Sequence, residues 1–179
     1  MEKKTIIDFE NCVSTEEIRD LLKQNLNLSE WDDKKPDDLL KMLKELEPCK
    51  IYLRGTNLVP ENIAKYMNQV IDIFDKVEEL YNNIRVYVWE VVTIDFTNVK
   101  SIYEIHQLMS KTLDFPEWYG GNLDALWDLL TGYISSYEIH IKGIRAVHEY
   151  LQLYLQKVVE VFQKVSKFYN DDNIVVYIE

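Results

Sequence analysis

Apolar residues follow a helical period in the stretch of chain between Asn122 and Gly132. They recur at i, i+3, i+4 and i+7, at Leu123, Leu126, Trp127 and Leu130. This spacing predicts a helix near residues 122–131, with all four side chains on the side that faces a core. Asn122 is a suitable N-cap, because its side chain accepts a hydrogen bond from a first-turn amide. Gly132 is a suitable terminator, because glycine tolerates the left-handed backbone that often ends a helix.

Short segments of the first half of the chain recur in the same order in the second half. The matching pairs are 5–11 with 92–98, 14–18 with 101–105, 30–31 with 117–118, 51–55 with 139–143, 74–77 with 162–165, and 86–88 with 176–178. Their offset stays at about 87 to 90 residues. Ordered agreement at this many points indicates a tandem duplication, with one domain at 1–89 and a second at 90–179.

Each half is predicted to contain a strand, two helices, a second strand, a helical region and a third strand. In the second half the strands lie near 91–97, 138–142 and 173–178, and the helices near 101–112, 122–131 and 144–169, the last broken into two around 150–154. Ser14 with Glu17, and Ser101 with Glu104, are capping boxes that begin corresponding helices. Strands that alternate with helices pair in parallel through right-handed crossovers. The chain is therefore predicted to be an α/β protein of two tandem domains, each packing helices on a small three-stranded parallel sheet.

The junction between the halves contains no linker. Residues 84–96 include no Gly, Pro or Ser, so the last strand of the first half runs almost directly into the first strand of the second. Two domains joined without a flexible linker are expected to keep a fixed relative orientation. The alternative is one long strand inside a single merged domain.

Composition restricts the function classes. Of the 179 residues, 47% are hydrophobic, which indicates a globular chain, and the net charge is −11. Residues 1–90 carry 19 acids and 13 bases and residues 91–179 carry 12 acids and 7 bases, so both halves are acidic (−6 and −5). Neither half is therefore predicted to bind nucleic acid, whereas an acidic surface favours basic partners.

Cysteine content and hydropathy bear on location. The two cysteines, Cys12 and Cys49, do not make a disulfide scaffold, and reduced thiols in the cytosol are the simpler interpretation. No apolar stretch is long enough for a signal peptide or a membrane span. The sequence therefore predicts a cytoplasmic protein without a membrane partner.

The predicted helix at 122–131 carries two carboxylates on a face away from its apolar stripe. Asp124 and Asp128 lie four residues apart, a spacing at which like charges cost a helix roughly a few tenths of a kcal/mol. Asp124 lies in the first turn, where the helix dipole favours an anion, but Asp128 has no Lys or Arg at i±3 or i±4. Trp118, Tyr119 and Tyr133 flank the pair with aromatic surface. This composition is typical of a binding site for a basic partner, although a solvated helix face is the ordinary alternative.

The run from Tyr119 to Tyr133 resembles the core motif of barstar, a family of small intracellular inhibitors of barnase-type ribonucleases. In that family the motif Tyr-Gly-x-Asn-Leu-Asp-Ala-Leu-Trp-Asp-x-Leu-Thr-Gly-aromatic forms the surface that plugs the nuclease active site. The resemblance implies a barstar-like fold and extends more weakly over the C-terminal half. It implies a partner-binding surface made of Trp118, Tyr119, Asp124, Ala125, Trp127, Asp128, Gly132 and Tyr133.

The first half departs from this motif. The glycine loop is absent, Leu40 replaces Trp127, and Lys41 replaces Asp128. Asp37 keeps the first carboxylate, but Lys41 is expected to neutralise it. The first half is thus predicted to be a degenerate barstar-like copy that serves as a structural companion, a dimerisation element or a surface for a second partner.

One position in the second half also departs from the family. Barstars carry a further acidic contact on the last helix, and the corresponding residue here is Lys164. This reversal of charge leaves the identity of the partner nuclease open.

Catalytic interpretations find little support in the sequence. His106, His140 and His148 have no metal-binding spacing with each other or with either cysteine, and no phosphate loop or nucleophile motif occurs. We therefore predict no enzyme activity, no cofactor and no metal.

Two functions remain. The first is an intracellular immunity protein or antitoxin that blocks the basic active site of a barnase-type ribonuclease with its acidic helix. The second is a non-inhibitory scaffold whose duplicated acidic domains engage another basic protein. A weaker variant has the first half recognise a different toxin. Competition with RNA for the partner fits only inhibition, and the oligomeric state stays open.

Overall fold

A computed structural model describes residues 3–28, 31, 36–133, 136–169 and 174–179, with the backbone alone at 36 and 37. Contacts divide the chain into two compact units, which we call unit 1 (Met1–Glu90) and unit 2 (Val91–Glu179). No helix in these described ranges is long and apolar enough to cross a membrane.

Unit 1 packs helices on parallel strands. Its elements are β1 (Lys3–Asp8), α1 (Thr15–Leu26), α2 (Pro36–Leu43), β2 (Cys49–Arg54), a 3-10 turn (Thr56–Leu58), α3 (Glu61–Leu80) and the first part of β3 (Ile84–Asp95). β1 pairs in parallel with β2, and β2 pairs in parallel with β3. Alternate strand residues such as Ile7, Ile51 and Leu53 are fully buried with the apolar stripes of the helices and form the core of this unit.

Unit 2 contains the same order of elements. After the last part of β3 come α4 (Ile102–Thr112), α5 (Leu123–Gly132), β4 (Tyr137–Lys142), a 3-10 turn (Ile144–Ala146), α6 (Glu149–Phe168) and β5 (Ile174–Ile178). β4 and β5 pair in parallel. A separate apolar core includes Ile94, Leu126, Ile139, Phe162 and Ile174. The predicted α/β class is confirmed for the described residues.

β3 is one continuous strand of 12 residues that crosses the boundary between the units. The five strands of the described residues follow the order β1-β2-β3-β4-β5. The prediction of two separate three-stranded sheets is therefore not confirmed, because a single strand serves both units. Its continuity agrees with the absence of a Gly, Pro or Ser linker in this stretch.

Both predicted capping boxes are present. In unit 2 the Ser101 hydroxyl accepts from the Glu104 amide at 3.2 Å, and the Glu104 carboxylate accepts from the Lys100 amide at 2.8 Å. In unit 1 Ser14 and Glu17 form the equivalent bonds at 3.2 and 2.7 Å. The serine hydroxyls satisfy first-turn amides that have no partner inside the helix, and the glutamates bind the amides of the residues just before the caps, so α1 and α4 begin where the sequence predicts.

The predicted break in the last helix is wrong. α6 runs without interruption from Glu149 to Phe168, and the irregular backbone lies before it, at the extended Val147. The reason is a single continuous apolar stripe, whose buried members include Leu151, Leu155, Val158, Phe162 and Val165. Their spacing keeps one helical period through residues 150–154, so no break is needed to bury them.

Candidate protein-recognition site

α5 begins at the predicted cap. The Asn122 side chain accepts a hydrogen bond from the Ala125 amide at 2.9 Å. Leu126 and Leu130 are fully buried, while Leu123 and Trp127 are half-buried at the edge of the unit 2 core. The apolar stripe therefore seats α5 against the core and turns its opposite face to solvent.

Gly132 does not end α5 in the way that the sequence suggests. It is the last helical residue and does not have a positive φ, and the amide of Tyr133 still donates to the Leu129 carbonyl. The left-handed glycine of this region is instead Gly121, with φ +61°, in the loop before the helix. A Cβ on Gly132 would meet no atom within 4 Å, so its surroundings are open.

Both candidate carboxylates lie on the solvent-exposed face of α5. Asp124 is exposed in the first turn, and Asp128 is exposed one turn further on. Across the described part of the chain, neither carboxylate has a hydrogen-bond or ion-pair partner. No described side chain of this unit neutralises their negative charge, which is therefore available to a cation on a partner.

Exposed aromatic rings adjoin these carboxylates in the sequence. Trp118 is 71% exposed and Tyr133 is 55% exposed, and the two rings meet edge to face with centroids 6.1 Å apart. Trp127 is half-buried and contacts the ring of Phe168 at the end of α6. We call Trp118, Asp124, Trp127, Asp128 and Tyr133 the acidic-aromatic surface.

Sequence reasoning missed Phe168, which is 61% exposed. It lies beside Trp127, with ring centroids 6.1 Å apart, and so extends the aromatic area near α5. The local sequence signal is that Phe168 falls outside the apolar stripe of α6. A large apolar side chain that is left exposed often marks an interaction surface.

Tyr119 points inward, although the family resemblance assigns it to the partner surface. Its hydroxyl lies 2.5 Å from Nδ1 of His106, whose Nε2 lies 2.7 Å from the hydroxyl of Tyr154. His106 is only 4% exposed. We call these three residues the histidine–tyrosine cluster, of which the sequence analysis had singled out His106 only as an unsuitable metal ligand.

Burial sets the ionisation of this cluster. It raises the pKa of the Tyr119 phenol, with a further contribution from Tyr154, and it raises the pKa of Tyr154 as well. The same effect lowers the pKa of His106. All three groups are therefore neutral near pH 7, and the cluster holds together by hydrogen bonds between uncharged groups.

The remaining candidates for chemistry are dispersed. No group of three or more His, Cys, Asp or Glu side chains that could hold a metal ion occurs among the described residues. Cys12 and Cys49 are both buried free thiols, and burial raises the pKa of Cys12. Lys164 is exposed on α6.

α2, the second helix of unit 1, carries an ion pair on its surface where α5 carries two carboxylates. The Lys41 ammonium lies 2.8 Å from the Asp38 carboxylate. The loop at 32–35 and the side chain of Asp37 lie outside the described residues, so the predicted pairing of Lys41 with Asp37 stays a prediction. In the predicted alignment of the two halves, Lys41 takes the position of Asp128, for which the described residues provide no partner.

The parallel strands and surrounding helices place this chain in the α/β class. Within that class, the model of a family described as Barstar (barnase inhibitor) matches residues 89–179, just over half of the chain. The chain therefore belongs to the barstar family, as the motif at 119–133 predicts.

A curated relative agrees with this assignment. The chain is 34% identical over 82 residues to a protein of Bacillus subtilis (strain 168) named "Putative ribonuclease inhibitor YrdF". The similarity covers 45% of this chain and 90% of that protein.

Proposed function

We propose that unit 2 inhibits a barnase-type ribonuclease and that α5 occupies the basic active site of the enzyme. The observation that carries the proposal is a pair of exposed carboxylates, Asp124 and Asp128, that no described side chain pairs with, on a helix anchored in a barstar-family domain. The name of the Bacillus relative supports the same function.

The physical basis is charge mimicry. A ribonuclease stabilises phosphate charge with cationic groups, and these can bind carboxylates held in the same place. Asp124 and Asp128 lie on one face of a helix that is already folded. Binding a partner therefore does not require the helix backbone to lose further conformational entropy. The exposed rings of Trp118 and Tyr133 would exclude water around the ion pairs. Inhibition then consists of excluding RNA, without any chemical step.

We also propose that unit 1 is a diverged second copy. Besides the element order, small features recur: Gly55 and Gly143 both have positive φ before a 3-10 turn. The bond from the Phe9 amide to the Arg54 carbonyl, 2.9 Å, has a counterpart from Phe96 to Lys142 at the same length. Domains at 1–89 and 90–179 belong to this proposal.

The decisive test is titration of a barnase-type ribonuclease while RNA cleavage is followed. Wild type is expected to inhibit stoichiometrically, and Asp128→Ala to weaken inhibition about tenfold or more, since a desolvated cation loses its partner. The matched control is Asp72→Ala, which removes an exposed helical carboxylate from α3 of unit 1. Equal, small effects of the two substitutions would contradict the placement of the site on α5.

A second measurement separates inhibition from the scaffold hypothesis. If the protein binds the ribonuclease at its active site, a non-cleavable RNA oligonucleotide will compete with it for the enzyme. Binding that is unaffected by saturating RNA would favour the scaffold. Absence of any binding would contradict the proposed function, and Lys164→Glu would then test whether the reversed charge on α6 is the reason.

A further inference from the structure

The histidine–tyrosine cluster joins three separate elements of unit 2. His106 lies on α4, Tyr119 in the loop before α5, and Tyr154 on α6. A neutral imidazole has one donor and one acceptor nitrogen, so one phenol donates to the ring and the other accepts from it. Because the imidazole is almost fully buried, loss of either phenol would leave a ring nitrogen without a partner.

The loop that leads into α5 lies directly against this cluster. A Cβ on Gly121 would lie 3.8 Å from the His106 Cβ, so the loop backbone is in near contact with the histidine. The Tyr119 ring is also held by Phe115, edge to face, with centroids 4.9 Å apart. Asn122 follows Gly121 in the sequence, and its side chain caps α5. The cluster therefore anchors the chain immediately before the helix that carries the two carboxylates.

We propose that His106, held by Tyr154, is a positioning residue of the acidic-aromatic surface, and that Tyr119 acts from beneath this surface without contacting the partner. The inference rests on the proposed function of α5. Trp118 precedes Tyr119 and is exposed, so one anchored residue sets the direction of a neighbouring partner-facing ring. Tyr119 and Gly121 together set the path by which the chain enters α5.

The cluster also makes the surface sensitive to the charge of His106. A protonated imidazole donates from both nitrogens, so the phenol that donated to it loses its acceptor. Glu117 and Tyr103 line the same cleft as His106 and Tyr119, but Glu117 is exposed, so water screens its charge. Binding is therefore expected to weaken when acid charges His106.

The first test compares the full-length wild type with Tyr154→Phe, a substitution that removes one hydroxyl and keeps the ring. Two quantities are measured, the dissociation rate from the ribonuclease and the amide exchange rates near α5. The control is Val158→Ala, a truncation of a fully buried residue on the same helix, α6. We expect Tyr154→Phe to raise the dissociation rate from a barnase-type ribonuclease about tenfold. We expect a similar rise in the exchange rates of the Tyr119 and Ala125 amides, which donate to the Pro116 carbonyl and to the Asn122 side chain. Val158→Ala is expected to change neither quantity beyond the effect of lower global stability.

Hydrogen exchange needs no partner, so it separates this proposal from the proposed function. If wild type does not bind the ribonuclease, the proposed function fails, and faster exchange in Tyr154→Phe alone still supports the positioning role. If Tyr154→Phe and Val158→Ala give the same loop exchange at matched stability, the cluster is only part of the core and the proposal is wrong.

A second variant tests the role of charge. His106→Gln keeps a donor and an acceptor but cannot be protonated between pH 7 and pH 5. Between pH 7 and pH 5, the affinity of wild type for the ribonuclease is expected to fall more than the affinity of His106→Gln. In parallel, the hydrogen-bonded amides of Tyr119 and Ala125 in wild type should exchange faster at pH 5 after correction for intrinsic rates. Superimposable profiles of the two proteins in both measurements would overturn the proposal.

Discussion

Among single residues, the two carboxylates of α5 differ in what surrounds them. Asp124 lies in the first turn, where the unpaired amides of the helix already favour an anion. Asp128 lies beyond that turn, and none of the described side chains pairs with its carboxylate. Asp128 therefore has more to gain than Asp124 from a cation on a partner, and its removal is expected to weaken inhibition more.

A buried histidine makes the stability of unit 2 depend on pH. Burial lowers the pKa of His106 in the folded state below the ordinary value of 6.5. Below pH 6.5 the unfolded chain therefore binds the proton more readily than the folded chain, and stability falls as pH falls from 6.5 to the lowered pKa of the folded state. Above pH 6.5 this contribution is fully present.

The measurement is the free energy of unfolding by urea at pH 7.5, 6.5, 5.5 and 5.0, for wild type and His106→Gln. We expect wild type to lose more stability over this range, at a rate of up to about 1.4 kcal/mol per pH unit for one proton. All other titrating groups are common to both proteins, so the difference isolates His106. Parallel curves would show that His106 is not the group that takes up the proton.

Among the elements, the turns after β2 and β4 depend on glycine to different degrees. Gly55 has φ +71° and a Cβ there would lie 3.0 Å from the Glu10 amide nitrogen. Gly143 has φ +79° and its Cβ would lie 2.4 Å from the Thr97 amide nitrogen, a direct collision with backbone. The turn of unit 2 is therefore the tighter of the two corresponding turns.

We expect Gly143→Ala to destabilise the protein by about 3 kcal/mol or more, because positive φ and a backbone collision act together. Gly55→Ala should cost about 1–2 kcal/mol, mainly for the backbone conformation. Gly132→Ala is the control: it lies in α5 without positive φ or nearby atoms and should stabilise by roughly 0.5–1 kcal/mol. Chemical denaturation followed by tryptophan fluorescence would rank the three, and equal effects at residues 55 and 143 would contradict the collision.

For the whole molecule, the dominant property is its net charge of −11. Both halves contribute, and the isoelectric point calculated from the sequence is about 4.8. A net negative field attracts a basic enzyme over distances that salt shortens, since the Debye length is about 30 Å at 0.01 M and about 8 Å at 0.15 M ionic strength. Charges far from the contact then affect the encounter, and charges inside it affect the lifetime of the complex.

We therefore expect the association rate with a basic ribonuclease to fall several-fold as salt rises from 0.01 to 0.15 M, with little change in the dissociation rate. Asp72→Lys, in unit 1, should lower the association rate at low salt alone. Asp128→Ala should instead raise the dissociation rate at every salt concentration. Stopped-flow kinetics would distinguish the two classes, and a salt-independent association rate would argue against steering by the net charge.

The sequence by itself determined the features that depend on neighbouring residues. The cap at Asn122, the boxes at Ser14 and Ser101, and the apolar stripe of α5 all arise from spacings of three or four residues. The exposure of Asp124 and Asp128 follows from the same helical period, and the motif at 119–133 was enough to indicate the family.

Tertiary structure decided what no local period encodes. Tyr119 turns inward because its hydroxyl bonds to His106, which lies 13 residues earlier in the chain. The same histidine ring bonds to Tyr154, which lies 48 residues after the histidine. α6 stays unbroken because one core accepts its whole apolar stripe. A side chain leaving a loop takes its direction from long-range contacts, so only the folded chain shows that the Trp118 ring is exposed while its neighbour Tyr119 is bonded to a buried histidine.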